Sequence, residues 1–412
     1  MIRGMLSCCR SDDTIVTSTD LSHLEPFSKQ GISLSYLLND FVEECGGNEV
    51  LKGLSTTEVC NTFVKPATKE FQSSYCDMLL EQQKQKTEHD VNDNDNVAAV
   101  DRATVFISHA WKYEFLHVLD ALKDHFKDEP DTIIWFDLFS NNQHKASDLP
   151  YEWWQTVFKS AIKDIGHTVM VMSPWNNPIP YTRAWCIFKA YCTTLEPKSR
   201  FEIAMSAKER EKFIKDVVYD PEGIINTMLS VINAEKSTAF PPQNEDRILE
   251  VIRKEVGFYK INSLIFEQLR EWVIGIAKKE LEINQDEERH ADLLHMLGML
   301  YKGQGNYQAS QPLLEEALEK RRATLGADHP DTLLSINNLA MLYYMQRKYD
   351  TAEPLYLECL EKQKSTLEAD HPSTLPSINN LALLNKSQGK YNTAEPLYLE
   401  CLDKRNLTLA WG

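Results

Sequence analysis

The chain has 412 residues, a formal charge of −17, a pI near 5.2, 42% hydrophobic and 25% charged residues. That length holds two or three domains with cores of their own, and so acidic an average surface argues against nucleic acid and anionic lipid as main partners. No apolar run nears the roughly 20 residues that cross a bilayer, Met1–Arg10 lacks the apolar core of a secretory signal, and nine cysteines without a Cys-x-x-Cys fit a reducing cytosol better than a disulfide framework.

Residues 1–31 are polar and mixed and read as an N-terminus without fixed structure, in which Cys8-Cys9 are two thiols of a tail rather than a lipid anchor. Over 32–80, Leu34, Leu37, Leu38, Phe41 and Val42 return at helical spacing, and Val59, Phe63 and Val64 follow, which predicts a small helical region. Residues 81–102 are rich in Gln, Lys, Asp and Asn and read as a solvated linker. Its centre, Asp90–Asp95, lacks the glycine and the bidentate glutamate of a calcium loop, so no metal site is expected.

From 103 to 217 strands and helices alternate. Thr104–Ile107, Ile133–Phe136 and Val169–Met172 are continuous apolar runs, with Phe201–Ala204 a weaker fourth. Between them lie amphipathic stretches, one with Phe115, Val118, Leu119, Leu122 and Phe126, a second over Glu152–Ile165 and a third over Thr182–Thr194. Strands apolar on both faces and separated by helices predict an α/β fold with a parallel sheet covered on both sides. Such sheets bind ligands outside the carboxyl ends of their strands. Here those ends are Ser108–Trp111, Asp137–His144 and Ser173–Asn177, and six of the eight tryptophans fall between 111 and 185.

Residues 218–284 read as a helical connector, clearest over Ile248–Val256 and Ile261–Leu281. From 285 to 412 a 42-residue unit is written three times. Tyr307, Tyr349 and Tyr391 share one register, and Pro312, Pro354 and Pro396 another. A period of this size means stacked helical hairpins, an all-α solenoid after the α/β domain, and such arrays present extended surfaces that bind polypeptides. Pro354 and Pro396 are expected near the start of their second helices, where a missing N–H costs little.

Asp328-His329-Pro330 with Asn337-Asn338-Leu339-Ala340, and Asp370-His371-Pro372 with Asn379-Asn380-Leu381-Ala382, resemble the tetratricopeptide repeats of the kinesin light chain and nephrocystin-3 group. In that family the first-helix asparagines hydrogen-bond the backbone of extended peptides, which implies Asn337, Asn338, Asn379 and Asn380 as peptide-binding residues. The first repeat departs from the pattern, with His295-Met296 in that slot.

Phe106-Ile107-Ser108-His109, the long loop after Asp137 and Arg183-Ala184-Trp185-Cys186 together resemble a Toll/interleukin-1 receptor (TIR) domain over about 103–205. The resemblance implies a ligand pocket lined by Ser108, His109, Trp111, Asp137, Phe139, Trp185 and Lys189, and homotypic assembly through the loop Leu138–Leu149. Many TIR domains cleave NAD with a glutamate three residues after the Cys of Trp-Cys-x-x-Glu; here that position is Lys189. A cation there opposes the positive charge that develops on the ribose, and losing a transition-state electrostatic partner costs about 10²–10³ in rate. The resemblance therefore implies no catalytic residue and no cofactor, beyond NAD held without turnover. The two resemblances together imply a cytosolic adaptor, its repeats binding a peptide or protein partner and its catalytically degenerate TIR-like domain mediating assembly or signalling; the alternatives are an NAD hydrolase regulated by its repeats and a kinesin-light-chain-like cargo adaptor, although no sustained heptads precede residue 103.

Overall fold

The computed structural model describes residues 28–87, 98–145, 151–239, 245–283, 286–366 and 374–410. Cys8-Cys9, Asp90–Asp95 and Asp370-His371-Pro372 lie outside the described residues. The chain divides into two compact units.

The first unit is built on a mixed six-stranded sheet in the order β2-β1-β4-β3-β5-β6. The strands are β1 (Gln30–Ser33), β2 (Val100–Arg102), β3 (Val105–Ser108), β4 (Ile133–Trp135), β5 (His167–Val171) and β6 (Arg200–Ala204). The central strands are parallel as expected: β3 pairs with β4 at Val105↔Ile134 and with β5 at Phe106↔Thr168. Val105, Phe106 and Ile107 are buried, as are Val169, Met170 and Val171, so the middle of the sheet is covered on both faces. Helix α1 (Tyr75–Thr87) precedes β2, helix α2 (Phe115–His125) follows β3, and α3 (Tyr151–Ile165) precedes β5. Phe115, Val118, Leu119 and Leu122 on α2, and Val157, Phe158, Ala161 and Ile162 on α3, form the buried stripes that their spacing predicts.

The sheet reaches beyond the expected boundary at 103. Strand β1 lies inside the stretch read as tail and small helical region, and it runs antiparallel to both β2 and β4. Gly31 makes this insertion feasible, since a Cβ there would stand 2.6 Å from the carbonyl oxygen of Ile134. The linker read over 81–102 instead includes the end of α1 and the edge strand β2. Tyr75, Cys76, Met78 and Leu79 anchor α1 from the apolar side of that boundary, and β2 buries only Val100, too little for a period-2 signal. The segment 34–80 packs on this unit rather than apart from it: Phe41 lies edge-on to Phe115 at 5.8 Å and to Phe139 at 4.9 Å.

The second unit carries the helical array. Helices α5 (Ala207–Tyr219), α6 (Pro221–Val231) and α8 (Phe258–Ile283) lead into it; α4 (Ala184–Leu195) and α7 (Glu245–Glu255) each have residues in both units, with Lys189 of α4 in the first. On α8 the stripe Ile261, Ile265, Leu269, Val273 and Ala277 is buried, and Trp272 lies 5.1 Å from Phe213 of α5. The three hairpins are α9 (Glu287–Gly303) with α10 (Tyr307–Thr324), α11 (Pro330–Met345) with α12 (Tyr349–Thr366), and α13 (Leu375–Ser387) with α14 (Tyr391–Ala410).

Small residues in register bring paired helices together. A Cβ on Gly298 would meet Leu314 at 2.6 Å, and Ser310 donates to the Gly298 carbonyl at 2.7 Å; Ala340 with Ala352 and Ala382 with Ala394 take the same two slots. Pro354 and Pro396 sit deeper than expected. Pro312, Pro354 and Pro396 lie inside the second helices, in their second turn. They are tolerated because each is exposed, and the residue whose carbonyl loses its donor (Gln308, Asp350 or Asn392) is exposed as well, so water can serve it.

Candidate functional site

On the sheet unit, β3 delivers Ser108 and then His109 and Trp111. Their loop is held by the N-terminal segment: Thr56 N–H donates to the Tyr113 carbonyl at 2.9 Å, Thr57 N–H to Trp111 at 3.2 Å, and Phe115 N–H to Leu54 at 2.8 Å. Asp137 opens the short helix Asp137–Ser140 after β4. Its Oδ2 accepts the Trp111 indole N–H at 3.1 Å and lies 3.7 Å from the Lys189 ammonium, while its Oδ1 lies 3.8 Å from His109 Nδ1. Lys189 also stands over the Phe158 ring at 4.2 Å and the Phe106 ring at 5.3 Å. Its exposure is 3% and that of Asp137 is 7%, so this is a desolvated ion pair with aromatic walls.

Burial drives the His109 imidazole down to about pH 4, with the Asp137 carboxylate opposing and the Lys189 ammonium adding to the shift. At neutral pH it is an uncharged ring. Ser108 is fully buried and its hydroxyl has no hydrogen-bond partner among the described residues. Trp185 is half-buried one turn before Lys189 on α4.

Of the seven residues expected to line a pocket, the structure therefore gathers His109, Trp111, Asp137 and Lys189, with Ser108 beside them in sequence. Phe139 has another use. It is fully buried among Phe41, Tyr75 and Phe136, at 4.9, 5.5 and 5.5 Å. Phe106 and Phe158 read from sequence as plain core residues, and their role as walls for a cation carries no sequence signal. The loop Leu138–Leu149 is tied down over its first half. Leu138, Phe139 and Ser140 are buried, Asn142 donates to the Gln72 carbonyl at 2.6 Å, and His144 Nε2 lies 3.0 Å from Thr68 Oγ1; 146–149 lie outside the described residues.

In the repeats the asparagines form rungs between successive first helices. Asn338 Nδ2 lies 3.0 Å from His295 Nε2, and Asn380 Nδ2 donates to Asn337 Oδ1 at 3.1 Å. The second residue of each pair thus reaches the first residue of the preceding pair. His295, which breaks the sequence pattern, supplies the first rung. Burial pushes its imidazole down to about pH 3, so the neutral ring can accept the amide N–H of Asn338. The signal for this was its position, 42 residues before Asn337. Asn379 is exposed, and Asn337, Asn338 and Asn380 are half-buried. On α11 the same face continues through Leu334, Asn338, Met341 and Met345, spaced i, i+4, i+7 and i+11; Leu334 is 46% and Met345 43% exposed.

Residues 289–365 and 335–406 match the tetratricopeptide repeat family. The C-terminal helices are tetratricopeptide repeats, an architecture that recognises other polypeptides. No curated protein matches the chain. Among solved structures, BtubC (BKLC) from P. vanneervenii aligns at 18% identity and TM-score 0.33, covering 49% of this chain and 89% of that one. A Podosopora anserina structure described as kinesin light chain nearly identical TPR-like repeats aligns at 22% and 0.31, covering 49% and 92%, and apo RapI at 14% and 0.33, covering 48% and 71%. Among the described residues no helix is long and apolar enough to cross a membrane, and no cluster of His, Cys, Asp and Glu could hold a metal ion.

Proposed function

We propose that the chain is a cytosolic adaptor whose repeats bind an extended segment of a protein partner and whose sheet domain is TIR-like and serves assembly rather than hydrolysis. The observation that carries the first half is the α11 face. Leu334, Met341 and Met345 offer apolar surface beside the side-chain amides of Asn337 and Asn338, and Asn379 and Asn380 extend that edge. Amides satisfy the backbone of an extended peptide while adaptable Met and Leu side chains receive its apolar residues. A photo-crosslinker at Met341 should capture a partner polypeptide that the same group at the exposed Tyr219 does not.

The second half rests on Lys189. Its ammonium lies against Asp137 in a buried pair, where NAD cleavage would call for an acceptor of positive charge. Incubating the full chain with NAD should release no nicotinamide. Turnover that disappears on substituting Asp137 would instead support a hydrolase controlled by its repeats.

A further inference from the structure

Two rows run side by side across the first helices of the repeats. One is the row of rungs, His295 with Asn338 at 3.0 Å and Asn337 with Asn380 at 3.1 Å. The other lies about one turn further along each helix: Met299 on α9, Met341 on α11 and Leu383 on α13, in one 42-residue register and all half-buried. The step from Met299 to Met341 lies wholly inside the array, because α8 packs on α9 and α13 lies beyond α11. The rungs leave polar groups over. Asn338 gives its Nδ2 to His295 and keeps Oδ1 as an acceptor, whereas Asn337 receives on Oδ1 and keeps Nδ2 as a donor. A polypeptide laid across α11 can therefore be held through both an N–H and a C=O.

Spacing then selects the conformation. Side chains as short as asparagine bridge neighbouring first helices, which sets the helix axes about 8–10 Å apart. A β-strand returns a side chain to the same face after two residues, about 7 Å, and falls out of step by the second helix. A polyproline II segment returns one after three residues, about 9 Å, and its backbone makes no internal hydrogen bonds, so its N–H and C=O groups are available to the amides.

We propose that the repeats read a partner segment in the polyproline II conformation with an apolar residue at every third position, one for each of Met299, Met341 and Leu383. The α11 face adds a second requirement. Leu334, Asn337, Asn338, Met341 and Met345 include no charged side chain, so the anchor residues are uncharged. The proposal rests on the adaptor reading of this same face and fixes the register and conformation of what it binds.

The probe is a capped peptide of three Leu-Pro-Ser triplets, compared by fluorescence anisotropy with an isomer of the same composition whose leucines alternate with the other residues. The full chain should bind the triplet peptide about tenfold more tightly, the loss expected when apolar anchors leave their contacts. Glutamate or lysine in place of the central leucine should weaken binding alike. Met341→Glu should remove the preference, and Met341→Ala should reduce it with no added charge. Leu357→Glu, on the second helix α12 and at a site 48% exposed, should leave it unchanged. Met341 is half-buried, and both of its variants should keep the far-ultraviolet circular dichroism of the parent. Equal affinity for the two isomers, or a preference that survives Met341→Glu, overturns the proposal. Crosslinking at Met341 keeps the two readings apart. A captured polypeptide with no preference between the isomers leaves the adaptor reading and sinks the third-residue register, whereas no capture and no binding of either peptide sinks both.

Discussion

Lys189 and Asp137 neutralise each other inside the sheet unit, 3.7 Å apart and almost without solvent contact. Removing one partner of such a pair leaves a buried charge and costs about 3–5 kcal/mol, whereas replacing both by uncharged groups is often close to neutral. Lys189→Glu should therefore not restore a hydrolase. It would set a second carboxylate beside Asp137 and lower the urea midpoint. Lys189→Met should also destabilise, and Lys189→Met with Asp137→Asn should recover most of the loss. A double-mutant cycle read by urea unfolding checks this; additive losses would show that the two residues do not act as a pair.

Acid should weaken the fold before its carboxylates protonate. His109 and His295 are held near pH 4 and pH 3 by burial, against about 6.5 in an unfolded chain. Between those values the unfolded state binds more protons, so stability is full above pH 6.5 and falls as pH drops toward the folded values. At pH 5 each histidine should cost about 2 kcal/mol relative to pH 7. Urea titrations at the two pH values test the sum, and His295→Gln should remove roughly half of the difference.

The rung between Asn380 and Asn337 bears on how the array holds together. Asn380→Ala should cost about 0.5–1.5 kcal/mol, the usual worth of a half-buried hydrogen bond. Asn379→Ala, at an exposed site, should leave the melting temperature unchanged. Thermal unfolding of both variants separates a residue that joins repeats from one available to a partner.

Strand β1 depends on a residue with no side chain. Gly31→Ala would press a methyl group onto the Ile134 carbonyl, and the strand would have to shift or detach. The expected result is loss of protection in hydrogen exchange over residues 30–33 and 100–102, with the repeats unaffected.

These outcomes follow from features that differ in how plainly the sequence wrote them. The repeats were legible because 42-residue periodicity survives substitution: Tyr307, Tyr349 and Tyr391 mark it without any fold in view. The central strands were legible because continuous burial leaves continuous apolar runs. Strands β1 and β2 were not, since Gln30-Gly31-Ile32-Ser33 and Val100-Asp101-Arg102 are too short to show a period, and their pairing joins residues about 70 apart. The asparagines stood out by type, but which of them bond to a neighbouring repeat depends on the offset between helices. The pairing of Lys189 with Asp137 likewise depends on three-dimensional proximity that no spacing encodes.

The central claim is that the first-helix face of the repeats recognises an extended segment of another protein, and it can be measured directly. Peptides selected by display against the full chain should bind it by calorimetry, and Met341→Glu and Asn379→Ala should each weaken binding at least tenfold while the fold is retained. Affinities left unchanged by both substitutions would contradict the account.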